Sequence, residues 1–139
     1  MTGTALVGFS HVVLTVSDLA RSTTWYEENL DFVRLFPWNT PDFSRWLLAH
    51  PSGMVLGLTQ HEHHDRQSSF TPTVNGLDHL SFAVSSHEQL QAWQSRFDRA
   101  GITHSGIQVL PESGFTLLPF RDPDSIQLEL YLHDQEQAD

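Results

Sequence analysis

The sequence predicts an α+β fold in which two βαβββ modules form one domain, residues 1–139. Three observations support this prediction. An internal repeat is present, because 68 residues separate His11 from His79 and the same number separates Trp25 from Trp93. Each His also opens a segment in which apolar and polar side chains alternate, as they do in a strand. In each half, a helical pattern and three further strand-like segments follow.

The first module spans about residues 8–60. Its helix follows the His-led strand, and either Ser17 or Asp18 is suited to cap it because both carry a side-chain oxygen. Three strands are predicted after the helix, at residues 32–36, 44–49 and 54–59. Turn residues divide these strands at 37–41 and at 51–53.

The second module spans about residues 77–133 and repeats this order. Ser85 and Ser86 precede its helix, and Gly101 is placed to end it in the left-handed conformation that glycine adopts easily. Its remaining strands are predicted at residues 103–110, 114–121 and 125–132. A polar, aperiodic linker, residues 61–76, joins the two modules.

Composition excludes several classes of function. The net charge is −10, and the seven basic residues are all Arg and are scattered, so a nucleic-acid partner and an anionic membrane surface are both disfavoured. No apolar run approaches the ~20 residues that span a bilayer, and the first residues do not resemble a secretion signal. We therefore expect a cytoplasmic protein with a small-molecule ligand, no nucleic-acid partner and no membrane attachment.

The chain has no Cys, so any transition-metal site must be built from His, Asp and Glu. Alternation in the two His-led strands places His11 and His79 away from the helix-packed side. In the last strand, Glu129 and Tyr131 lie opposite its apolar face. Glu129 would share the side of the two His residues if these strands belong to one curved sheet.

A single His at the start of a strand is more often a structural residue than a metal ligand. Here two His residues occupy equivalent positions of a repeat, and Glu129 lies mid-strand among apolar neighbours, where burial penalises an unpaired charge. The set His11, His79 and Glu129 therefore indicates a site for one divalent metal ion, Fe, Mn, Ni, Co or Zn, with positions left open for substrate and water.

Three segments, residues 8–19, 76–84 and 120–130, resemble the opening, the second-module start and the closing strand of the vicinal oxygen chelate superfamily, also called glyoxalase/bleomycin-resistance/dioxygenase. The resemblance runs from about Phe9 to Leu132. It implies a cupped mixed sheet, and it assigns the family's metal positions to His11, His79 and Glu129.

A fourth family position falls on Gly57, where enzymes of the glyoxalase I type usually carry a carboxylate that binds metal and moves a proton. Glycine can do neither, so glyoxalase I and epimerase activities are disfavoured. The resemblance then implies a metal-dependent enzyme that chelates vicinal oxygens of a small organic substrate, by dioxygenase-, lyase- or transferase-type chemistry. Glu129 and Tyr131 are the candidate catalytic residues, and a linker His is an alternative to Tyr131 for proton transfer.

The alternative is a non-catalytic, bleomycin-resistance-like protein that binds a small molecule. Gly57 is compatible with it, since a missing side chain would enlarge the cavity. The resemblance also implies a homodimer, and it leaves open whether one site draws His11 and His79 from different subunits.

Each of three further features has two interpretations. The run His61-Glu62-His63-His64 either caps the site or forms a solvated loop. Trp38, Phe43 and Trp46 form either an aromatic wall for a ligand or a packing or dimer surface. Arg121 either orients a carboxylate or lies at the rim of the site.

Overall fold

The computed structural model describes residues 3–65 and 68–133. The chain divides into two compact units, Met1–Arg66 and Gln67–Asp139. Each unit contains one βαβββ module with its own four-stranded mixed sheet. The predicted α+β fold of two such modules is confirmed.

The first unit comprises β1 (Val12–Thr15), α1 (Leu19–Leu30), β2 (Val33–Asn39), β3 (Phe43–Ala49) and β4 (Val55–His61). Its strand order is β1-β4-β3-β2, with β1 and β4 parallel and the other pairs antiparallel. Its core is made of buried side chains from the strands and from α1, among them Leu14, Val16, Tyr26, Leu48 and Leu58. The helix therefore covers one face of the sheet and leaves the other face open within this unit.

Asp18, and not Ser17, caps α1. The Asp18 carboxylate accepts a hydrogen bond of 3.0 Å from the backbone N–H of Arg21, which lies in the first turn of the helix. The Ser17 hydroxyl instead accepts a bond from the Arg21 side chain. Asp31 ends the helix in the left-handed conformation, at φ 65°.

The turn predicted at residues 37–41 begins later than expected, because β2 continues through Pro37, which lies opposite Trp46. β2 is an edge strand, so the N–H that proline lacks is not needed on the outer side. β4 also continues two residues beyond its predicted end. His61 is therefore a strand residue and not the first residue of a linker.

The second unit comprises β5 (Leu80–Val84), α2 (His87–Ala100), β6 (Gln108–Val109), β7 (Thr116–Arg121) and β8 (Gln127–Leu132), in the order β5-β8-β7-β6. Ser86 caps α2, and Gly101 ends it at φ 70°, as the sequence predicts. Among the helices that the structure describes, none has the length and apolar character needed to cross a membrane.

The prediction of a strand at 103–110 is wrong over most of that range. The structure forms only the two-residue strand β6 and an isolated bridge between His104 and Phe120 there. In this segment, side chains accept hydrogen bonds from backbone N–H groups that would otherwise bond to a neighbouring strand. The His104 ring accepts from the N–H of Gly106, and the Gln94 side chain accepts from that of Ile107, both at 3.0 Å. Gly106 itself has φ 78°, which interrupts extended backbone.

Candidate metal centre

His79 and Glu129 lie side by side in the second unit. His79 directly precedes β5, and β5 pairs in parallel with β8, where Ser81 lies opposite Glu129. The His79 Nε2 atom is 3.4 Å from Glu129 Oε1. The sheet register therefore brings together two residues that are 50 positions apart in the sequence.

Alternation along β8 explains why Glu129 faces this way. Leu128, Leu130 and Leu132 are buried on one face of the strand. Glu129 and Tyr131 point to the opposite face, as the sequence predicts. The Glu129 side chain is only 13% exposed, so its charge lies in a partly desolvated position where a cation would stabilise it.

Both repeat-related His residues engage the residue before them through the same ring atom. His79 Nδ1 is 2.7 Å from Asp78 Oδ1, and His11 Nδ1 is 2.9 Å from Ser10 Oγ. Metal-ligating His residues commonly use one ring nitrogen for such a hydrogen bond, which fixes the ring and its tautomer. In each ring Nε2 is then the nitrogen that a metal ion would use.

The acidic neighbours of His79 raise its pKa above the ordinary value. The largest cause is the hydrogen bond to Asp78, and the charges of Glu129 and Asp78 add to it, while burial acts in the opposite direction. A positive charge is thus favoured between these two carboxylates. The same electrostatic environment suits a divalent metal ion.

The spacing of the donor atoms also fits a metal ion. Two ligands about 2.1 Å from one ion lie about 3.0–3.4 Å apart at octahedral or tetrahedral angles. The 3.4 Å between His79 Nε2 and Glu129 Oε1 is compatible with that spacing. In the part of the chain that the structure describes, no group of three or more His, Asp or Glu residues gathers around one point. The third predicted ligand, His11, lies in the first unit, exposed at the residue before β1.

Gly57 lies between Val13 on β1 and Leu47 on β3. A Cβ atom built on Gly57 would lie 2.8 Å from Val13 Cγ2 and 3.2 Å from Leu47 Cδ2. The expectation that a missing side chain enlarges a cavity here is therefore wrong, because its neighbours already fill that space. The position also excludes a carboxylate unless Val13 moves.

Tyr131 is half-buried and lies opposite Ala83 on β5 and Leu117 on β7. Its ring contacts Phe115 and His133, with centroids 5.5 and 4.9 Å away. It occupies the face of Glu129, two residues further along the strand. These contacts fix the phenol ring on the side of the sheet where Glu129 lies.

The His-rich run does not act as one cluster. His61 ends β4, and its ring lies 6.0 Å from that of Phe43. The following residues, 62–64, form a turn and the start of a loop. Arg121, for its part, donates from Nη1 to the carbonyl of Ser125 and so stabilises the turn before β8.

The predicted aromatic wall is divided between two faces of the first sheet. Trp38 lies opposite Arg45, and its ring contacts that of Phe43 on the same face. Trp46, one residue from Arg45, points to the other face, where Arg34 stacks on it. Of the three residues of the predicted wall, Trp38 and Phe43 therefore lie on the open face and Trp46 does not.

Sequence reasoning gave no role to three residues that the structure makes relevant: Ser10, Asp78 and Arg45. The signal for the first two was available, since each directly precedes a repeat-related His. Arg45 carried a weaker signal, its alternation with Phe43 along one strand. Its contacts are with residues of β2 and β4, and the sequence does not show which residues of those strands lie next to Arg45.

The chain is an α+β protein of two βαβββ modules, and a His and a carboxylate are paired on the open face of the second module. This architecture defines its class. The chain belongs to the Glyoxalase/Bleomycin resistance protein/Dioxygenase superfamily, whose family model matches residues 8–130. No sequence among the curated proteins matches the chain significantly.

Solved structures agree with this assignment. A glyoxylase/bleomycin resistance protein/dioxygenase domain from Frankia sp. EAN1pec is 36% identical, with a TM-score of 0.85, and the match covers 96% of this chain and 99% of that one. A glyoxalase family protein from Enterococcus faecalis is 26% identical, with a TM-score of 0.74 and coverages of 90% and 97%.

A more distant likeness concerns the fold alone. A variant of the fosfomycin resistance protein FosX from Listeria monocytogenes, complexed with Mn(II) and 1S,2S-dihydroxypropylphosphonic acid, is 16% identical, with a TM-score of 0.68. The match covers 91% of this chain and 90% of that one.

Proposed function

We propose that this chain is a metal-dependent enzyme that binds one divalent ion, Fe, Mn, Ni, Co or Zn, through His11, His79 and Glu129. Its substrate is a small organic molecule whose two adjacent oxygens chelate the ion. The observation that carries this proposal is the pair His79 Nε2 and Glu129 Oε1, 3.4 Å apart on the open face of the second sheet. The matched Nδ1 contacts of His11 and His79 support it, because they orient both rings in the same way.

A bound ion would polarise the substrate oxygens and stabilise the negative charge that develops on them. The chain's own residues do the rest. Asp78 holds the His79 ring through Nδ1, and Glu129 supplies the negative charge that balances the ion. Tyr131 lies on the face of Glu129 with its ring fixed by Phe115 and His133, and we assign its hydroxyl as the donor of a proton to a substrate oxygen.

The surroundings of Gly57 narrow the reaction type. Proton transfer of the glyoxalase I kind needs a base at that position, and a side chain there would collide with Val13 unless Val13 moved. Dioxygenase-, lyase- or transferase-type chemistry, which needs only three protein ligands and open coordination positions, agrees better with this arrangement. The Mn(II) complex of FosX is consistent with such a site on this fold.

His11 completes the site from the first unit of the same chain or of a second copy in a homodimer. Isologous dimers exchange equivalent elements at little cost, which makes the second arrangement compatible with a repeat of two modules. Either arrangement gives one metal ion per chain.

The competing function, small-molecule binding without turnover, is favoured by the aromatic pair Trp38 and Phe43 on the open face of the first sheet. Trp38 is 51% exposed, which is high for a large aromatic side chain. The two functions differ in their need for metal. A sequestering protein would bind its ligand equally well after chelation, whereas the enzyme would not act on it.

The test is a calorimetric titration of the metal-free protein with Mn(II) and Zn(II). We expect one binding event per chain in the wild type and its loss in Glu129→Ala. The control is Glu112→Ala, which removes an exposed carboxylate from the turn before β7 and should leave binding unchanged. Equal binding in the wild type and Glu129→Ala would reject the metal assignment.

A further inference from the structure

Arg45 lies in the middle of the open face of the first sheet. The register places it opposite Thr59 on β4 and opposite Trp38 on β2, so these three side chains form one row across the sheet. α1 packs on the other face, where Leu48 and Leu58 are buried. Arg45 therefore points away from the core of its own unit.

The guanidinium of Arg45 is held by three contacts. Its Nε donates a 2.7 Å hydrogen bond to the hydroxyl of Thr59, which is only 1% exposed. Its Cζ lies 4.4 Å from the ring centroid of Phe43 and 5.3 Å from that of Trp38. The hydrogen bond uses Nε, and the two rings lie against the central carbon of the group. Within the described residues, these contacts leave the two terminal nitrogens to receive a ligand.

Among the residues that the structure describes, no carboxylate supplies the counter-charge that the position of Arg45 normally requires. Within the described residues Arg45 forms no ion pair with a carboxylate, although the chain has a net charge of −10. Arg34, which stacks on Trp46 on the other face, is paired with Glu27 at 3.0 Å. A half-buried guanidinium without an anion is costly, and an external carboxylate would remove that cost through two parallel hydrogen bonds.

The neighbouring row of the sheet is apolar. Phe36, Leu47, Gly57 and Val13 lie side by side across β2, β3, β4 and β1. Phe36 is 55% exposed and Val13 is 38% exposed, so this row offers an apolar surface next to the guanidinium. The side chains of Val13 and Leu47 fill the space over Gly57, so the row has no gap in its middle. A planar ring can lie on it while its anionic group reaches Arg45.

We propose that this face of the first unit binds an aromatic monocarboxylate, with Arg45 as the residue that receives the carboxylate. The net charge of the chain is −10, so it repels ligands with several negative charges more than those with one. A monoanion is therefore favoured. The proposal goes beyond the proposed function, because it concerns a ligand site within the first unit alone and binding at Arg45 needs no metal.

The probe is 1-naphthoate, compared with its neutral analogue 1-naphthamide, with affinity measured by calorimetry on protein treated with chelator. The wild type should bind the carboxylate about tenfold or more tightly than the amide, the ratio that one charged hydrogen bond supplies. Arg45→Gln should lose this preference, because a neutral side chain cannot pair with the anion. Arg45→Lys should keep only part of it, since lysine lacks the two-pronged donor geometry.

The matched control is Arg34→Gln, which removes a stacked arginine from the opposite face of the same sheet. It should retain the full preference for the carboxylate. Because the ratio of two ligands is measured on one protein, a partial loss of folding changes the amount bound but not the ratio. Failure of the wild type to bind 1-naphthoate, or an unchanged ratio in Arg45→Gln, would overturn the proposal.

The metal site is tested separately by His79→Ala. This variant should bind no metal and keep the carboxylate preference. If the wild type also binds no metal, the proposed enzyme function fails while the Arg45 site stands. If metal binds and the carboxylate preference is absent, the Arg45 site fails and the metal assignment stands.

Discussion

Val13 occupies the space that a side chain at Gly57 would need, since a Cβ there would lie 2.8 Å from Val13 Cγ2. Gly57→Ala should therefore destabilise the protein by about 1–3 kcal/mol, because extra volume in a filled position forces strain. In a Val13→Ala background the same substitution should cost much less, since glycine in a strand interior is itself unfavourable. A double-mutant cycle of denaturant unfolding measures this coupling. Equal costs in both backgrounds would show that Val13 does not close the position.

The hydrogen bond between Asp78 and His79 predicts a measurable titration. NMR of the His79 ring should give a pKa above the ordinary value of 6.5, and Asp78→Asn should lower it, since that bond is the largest cause of the shift. The raised folded-state pKa means that protonated His79 stabilises the fold below the unfolded value. That contribution is lost as the pH rises through the folded-state pKa. A His79 pKa that does not fall in Asp78→Asn would contradict this account.

Asp78→Asn should also weaken metal binding, by about 10–100-fold. The group that hydrogen-bonds the other ring nitrogen of a ligating His orients the ring and raises its basicity. Ser10→Ala, at the equivalent position before His11, should weaken it less, since a hydroxyl is a weaker partner than a carboxylate. Competition of each variant with a coloured chelator gives the two ratios. A larger effect at Ser10 would reverse the assigned order.

Ser17 and Asp18 are neighbours, but they have different roles at the start of α1. Asp18→Ala should cost about 1 kcal/mol of stability, because it leaves the backbone N–H of Arg21 without its acceptor. Ser17→Ala should cost less, since the Ser17 hydroxyl accepts from the Arg21 side chain and it is Asp18 that accepts from the Arg21 backbone N–H. Thermal unfolding of both variants, matched in buffer and concentration, gives the comparison. The opposite order would assign the cap to Ser17.

A mixing experiment shows which chains build the site. If one site takes His11 and His79 from different subunits, a heterodimer of His11→Ala and His79→Ala chains regains one intact site. If both ligands come from one chain, no heterodimer binds metal. Two different affinity tags isolate the heterodimer after co-expression, and elemental analysis gives its metal content.

Much of the fold was predictable from the sequence because the repeat fixed the element order. Alternation in the last strand correctly placed Glu129 away from the apolar face, and Gly101 marked the end of α2. The edge position of β2, which tolerates Pro37, was not predictable, because pairing between strands depends on the whole sheet. The side-chain bonds that shorten β6 were also invisible, since Gln94 reaches Ile107 from α2.

The candidate site was predictable in part. The repeat selected His11 and His79, and alternation added Glu129. The parallel pairing of β5 with β8, which brings His79 to Glu129, could not be read from spacing. Arg45 was missed because its significance lies in contacts with residues of three strands, Trp38, Phe43 and Thr59.

The central claim is that His11, His79 and Glu129 hold one metal ion. Elemental analysis of protein purified without an affinity tag or chelator tests it directly, alongside His11→Ala and His79→Ala. We predict about one divalent ion per chain in the wild type and its loss in both variants. A wild type that holds no metal, and takes up none of Fe, Mn, Ni, Co or Zn when supplied, would contradict it and favour a metal-free binding protein.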